Sequence, residues 1–64
     1  MSEKRRLEAA EKFRALLDDK EHHRRSIADG RKPRALALAA VCAEFGIDRA
    51  TLYRYCKRFG IPTA

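Results

Sequence analysis

Sixty-four residues with a net charge of +6 suit one small domain, near the lower limit for independent folding. The longest uninterrupted apolar stretch, Ala35 to Ala43, falls far short of the roughly 20 residues that span a bilayer. The basic start at Lys4-Arg5-Arg6 leads into alternating acidic and apolar residues, not a signal-peptide hydrophobic region, so a cytoplasmic protein without a membrane partner is expected.

From Glu3 to about Asp19 the pattern is that of an amphipathic helix. Leu7, Ala10, Phe13, Leu16 and Leu17 recur at three- and four-residue spacings, with charges opposite. Ser2 is placed to cap its start, and Glu8 and Lys12 sit one turn apart in the favourable order. The next stretch, KEHHRRSIADGRKP, either extends this helix to about Ala28 or forms a second short one. Asp29-Gly30 is the clearest stop.

Pro33 suits a first helical turn, where its missing amide proton does no harm. The alanine- and leucine-rich ALALAAVCAEF then predicts a helix ended by Gly46. Asp48 is placed to cap a last helix from Arg49 to about Phe59, which Gly60-Ile61-Pro62 should break. Ile61 is expected to fold back against that end. The whole reads as one all-α domain over residues 1–64. Residues 1–29 form a helical segment that either completes a monomeric three-helix core or pairs with a second copy. A homodimer through the first helix is the favoured expectation, because Phe13 and its leucines exceed what a solvated helix needs.

Charge is distributed unevenly. Residues 1–21 balance six basic against six acidic side chains, residues 22–34 carry +4, and residues 35–64 carry +2. A field of this kind attracts phosphate backbones and makes binding salt-sensitive.

Metal, redox and enzymatic chemistry find little support. Cys42 and Cys56 lack the spacing of a metal knuckle or a CxxC pair, so buried free thiols are expected. His22 and His23 are adjacent and point in different directions on a helix; solvated or phosphate-facing roles are expected. No carboxylate pair or activated nucleophile is readable. The expectation is a non-enzyme with no cofactor.

One stretch carries a more specific signal. LAAVCAEFGIDRATLYRYCK, from Leu38 to Lys57, resembles a helix-turn-helix DNA-binding unit. Cys42 stands at the small position inside the first helix, Gly46 at the turn, Ile47 as the apolar plug and Leu52 as the inward contact of the second helix. Gly46 permits a backbone angle that costs other residues energy, and Cys42 is small and apolar enough for its place. The resemblance covers about residues 30–61. IDRATLYRYCKRFGI is similar to the C-terminal modules of Fis-type and nitrogen-regulator-type proteins. GRKPR and RATLYRY resemble serine-recombinase DNA-binding ends, and TLYRY also looks like the recognition helix of TetR-type repressors.

The resemblance implies double-stranded DNA as partner, usually read by a dimer at repeated half-sites. On the last helix, Leu52, Tyr55, Cys56 and Phe59 should face inward, while Arg49, Ala50, Tyr53, Arg54 and Lys57 face outward. Thr51 lies at the border. Arg49 suits a phosphate or a guanine edge, Arg54 a base edge or a phosphate, and Tyr53 a phosphate or a thymine methyl group. Lys57 and Arg58 read as backbone clamps. Arg31, Lys32 and Arg34 flank the start of the preceding helix and suit phosphate, with a narrow minor groove as the alternative. A small dimeric repressor associated with DNA is the favoured function. A nucleoid or recombination accessory factor and a protein-interaction adaptor are the alternatives.

Overall fold

Ser2 opens helix α1 (Glu3–Asp18) by accepting the Arg5 backbone N–H at 3.2 Å. The computed structural model covers Met1–Ala64 and contains four helices and no strand. The chain turns at Asp19, whose extended backbone ends α1 and whose carboxylate accepts the Glu21 N–H at 3.0 Å. Residues beyond it therefore form a second short helix, α2 (Lys20–Ala28), not an extension of the first.

The N–H of Gly30 bonds the carbonyl of Ile27, and that of Arg31 bonds Ser26, closing α2 with the paired bonds typical of a left-handed glycine cap. Helix α3 (Pro33–Phe45) follows, with the proline in its first turn. Helix α4 (Arg49–Arg58) is capped by Asp48, which accepts the Thr51 N–H at 2.8 Å. Ile61 does fold back: its N–H reaches the Cys56 carbonyl at 2.9 Å, and its side chain packs against the core.

The core forms where α1 lies across both α3 and α4. Ala9, Ala10 and Ala37 are fully buried, and their short side chains let the helices approach. Phe13, Val41, Leu52 and Cys56 fill the space between them, with Leu38 and Phe45 at the margin. Phe13 has no exposed surface in the single chain, and Leu16 and Leu17 pack against the same cluster. Ala10, Phe13, Leu16 and Leu17 of the apolar stripe of α1 are thus used within one copy of the chain.

Helix α2 docks on the start of α3. His22 is buried, and its Nε2 lies 3.0 Å from the Pro33 carbonyl oxygen. Because a carbonyl only accepts, Nε2 must carry the proton. The Ser26 hydroxyl, also buried, donates to the His22 carbonyl at 2.7 Å. This corrects the expectation of a solvated or phosphate-facing His22: the ring tethers α2 to α3. No helix is long and apolar enough to cross a membrane.

Candidate functional site

Three residues, Gly46 to Asp48, separate α3 from α4. Gly46 adopts the left-handed conformation (φ 65°, ψ 38°), and both its N–H and that of Ile47 point at the Cys42 carbonyl. A side chain at this φ and ψ costs energy, which explains the glycine. Ile47 is half-buried against the core beside Cys42. Asp48 then starts α4 at once, and hydrogen bonding by Thr51, through its side chain and its backbone N–H, holds the Asp48 carboxyl below its usual range.

Leu52 and Cys56 are the fully buried residues of α4, with Phe59 half-buried just beyond. The opposite face presents Ala50, Arg54 and Lys57 to solvent, and Arg49 is exposed at the first turn. The Arg54 guanidinium donates to the Thr51 hydroxyl at 3.1 Å, which draws the two polar groups together. No acidic residue occurs anywhere in this helix.

The two tyrosines take flanking positions, and here the sequence expectation needs correction. Tyr53 is half-buried, its ring edge-on to Phe13, so it does not belong with the freely exposed set. Its hydroxyl accepts from Arg34 Nε at 3.1 Å, and the Arg34 guanidinium also lies 5.6 Å from the ring centre. Tyr55, on the other flank, is half-buried with the Arg6 guanidinium 5.9 Å from its ring centre. Cationic groups therefore border α4 on both sides, Arg34 along one and Arg6 with Arg58 along the other. Sequence spacing gives no sign of Arg6, which sits 43 residues ahead of the start of α4.

Arg31 and Lys32 are exposed in the α2–α3 connection, and Arg34 ties the start of α3 to the carboxyl end of the chain by donating to the Thr63 carbonyl. Ion pairing separates the two halves of the molecule. Five of the seven Lys and Arg side chains up to Arg24 contact carboxylates, namely Arg5, Arg6, Lys12, Arg14 and Arg24, while Lys4 and Lys20 do not. From Arg25 onward only Arg58 does, through Glu3 at 2.9 Å. Arg25, Arg31, Lys32, Arg34, Arg49, Arg54 and Lys57 have no carboxylate within 4.0 Å.

Both cysteines are free. Burial pushes the Cys42 and Cys56 thiols up from their ordinary range, so they stay protonated near neutrality. They act as small apolar packing groups. No group of three or more His, Cys, Asp or Glu side chains is arranged to hold a metal ion. Comparison with known protein families, with characterised proteins and with solved structures gives no match.

Proposed function

We propose that this chain is a sequence-specific, double-stranded DNA-binding transcriptional regulator, a small repressor that acts by occupying promoter DNA. In this reading α3 and α4 form a helix-turn-helix, and α4 enters the major groove. The observation that carries it is the ion-pairing asymmetry. Seven of the eight Lys and Arg side chains from Arg25 onward lack a carboxylate partner, and α4 carries no acid. Cations left uncompensated on α4 and on its Arg34 side suit a polyanion.

Arg54, Lys57 and Ala50 form the groove-facing strip. Arg49 leads, and Arg34, with Arg31 and Lys32 before it, holds phosphates. Arg58 is a backbone clamp whose guanidinium must exchange Glu3 for phosphate. Tyr53, half-buried against Phe13, supports Arg34 through its hydroxyl.

Two copies acting on repeated half-sites belong to the proposal. With Phe13 buried, the large apolar side chains left for a second copy are Met1 and Ile27, at 51% and 61% exposure.

Footprinting on genomic DNA, with the oligomeric state measured on the same sample, tests the reading. A discrete protected pair of sites supports it. Broad binding with strong bending would favour an architectural factor. If Arg49, Arg54 and Lys57 changed together to alanine left a folded protein with unaltered DNA affinity at moderate salt, the proposal would fail.

A further inference from the structure

Between the first turn of α1 and the outer edge of α4 lies a depression lined by Arg6, Thr51, Arg54, Tyr55 and Arg58. Three guanidinium groups share it with a hydroxyl, and the Tyr55 ring forms its one apolar wall. We infer that this depression is a phosphoryl-binding site, two of whose arginines, Arg6 and Arg58, are engaged by Glu3 until the ligand displaces it.

The Glu3 carboxylate reaches two of the three arginines. Arg58 donates to it from Nε at 3.0 Å and approaches through its second nitrogen at 2.9 Å, and Arg6 lies 3.6 Å away. Both Arg58 nitrogens bear on one carboxylate oxygen and Arg6 faces the other, so the two oxygens are shared between two guanidinium groups, as two phosphoryl oxygens can be. Glu3 therefore shows that Arg6 and Arg58 can converge on one oxyanion. It is 54% exposed, so its ion pairs are weakly held and its displacement costs little. One carboxylate against three guanidinium groups also leaves the depression with excess positive charge.

Arg54 remains without a carboxylate partner and is turned toward Thr51, which adds a neutral donor beside the charged ones. Arg6 comes from the opposite end of the chain, so the site exists only when α1 is docked on α4.

The ligand source follows from position, and this step rests on the DNA-binding reading. A helix lying in the major groove, about 12 Å wide, has a phosphate strand on each side. Arg34 occupies one flank of α4, and the Arg6–Arg58 depression occupies the other. The second flank would then hold a backbone phosphodiester, with Arg6 as a contact supplied by α1.

The test measures affinity of the whole chain for a mixed-sequence duplex across a salt series, comparing wild type with Arg6→Gln, Arg6→Lys and Glu3→Gln. Circular dichroism melting confirms that each variant is folded. Arg6→Gln should reduce the slope of log affinity against log salt by about 0.9, the loss of one phosphate contact. Arg6→Lys should keep most of the slope, and Glu3→Gln should tighten binding roughly two- to fivefold at low salt by removing the competitor. A folded Arg6→Gln protein with wild-type slope and affinity, alongside an inert Glu3→Gln, overturns the inference even if duplex binding depends on Arg49 and Lys57.

Should wild type bind no duplex, titration with inorganic phosphate followed at the arginine Nε–H resonances decides separately. Selective shifts at Arg6 and Arg58 would uphold an oxyanion site served by free phosphate, whereas unmoved resonances would overturn it.

Discussion

The ring of Tyr53 meets that of Phe13 edge-on, with centroids 6.2 Å apart and planes at 88°. One side chain thus joins the most deeply buried aromatic group to an exposed cation, since the same tyrosine hydroxyl accepts from Arg34. Such aromatic pairs contribute about 0.5–1.5 kcal/mol beyond the area they bury. Tyr53→Phe keeps the ring contact and loses the hydrogen bond, so it should cost about 0.5–1 kcal/mol. Tyr53→Ala also removes the ring and should cost about 2 kcal/mol, less than a fully buried aromatic residue would. Urea unfolding followed by circular dichroism distinguishes the two; equal stabilities would refute this role.

Gly46 offers a cleaner backbone test. A methyl group added there would meet no atom within 4 Å, so no clash enters. Gly46→Ala should therefore cost only the left-handed backbone penalty, about 1–2 kcal/mol. In a domain of this size that is a fall in melting temperature of about 4–8 °C for each kcal/mol. Gly46→Asn should lose less, because asparagine tolerates this conformation better. An alanine variant melting with the wild type would contradict the observed turn.

Acid should loosen the ends of α1 and α4. The Arg14 side-chain hydrogen bonds lower the Asp18 carboxyl, and Thr51 lowers that of Asp48. Their folded values lie below the ordinary 3.8, so the unfolded chain binds protons first as pH falls. The stability they contribute is fully present above that ordinary value and is lost as pH drops through the depressed folded values. Thermal melts from pH 6 to pH 2 should show the decline, and Asp48→Asn should reduce its acid-dependent part. A decline of unchanged size in that variant would assign the effect elsewhere.

Position and specificity should separate among the cations. Arg31→Gln and Lys32→Gln should weaken binding to all duplexes alike and lower the salt slope by about 0.9 each. Arg54→Ala should instead narrow the preference for a cognate site over mixed sequence by roughly 10- to 100-fold, the worth of a base contact. Binding selection on randomised duplexes measures both. If Arg54→Ala weakened every sequence equally, Arg54 would be reassigned to phosphate.

Helix boundaries are legible in the sequence where the signal is local. Ser2, Asp48, Gly30, Gly46 and Gly60 each act within a few residues of themselves, and all five stand at helix ends. The break at Asp19 is harder to read because neither glycine nor proline marks it; an aspartate cap alone turns the chain. The burial of His22 is not readable, since it follows from how α2 docks on Pro33. Tyr53 departs from its expected face for a related reason. Three- and four-residue spacing marks the centre of a buried stripe, but α1 is broad enough to cover both flanks of α4. Arg6 escapes notice because only the docking of α1 brings it to Tyr55. The charge asymmetry is visible from the sequence, whereas which cations are paired requires the folded chain.

The packing of α1 across α3 and α4 also has a consequence for synthesis. Phe13 emerges from the ribosome long before Tyr53 and Leu52, and Glu3 long before Arg58. The early helix has an apolar stripe but no lasting partner, and an isolated helix of this length is marginal in water. Nascent chains should consequently keep the α1 stripe open to chaperones and proteases until α3 emerges, and the core should be complete only once α4 has followed.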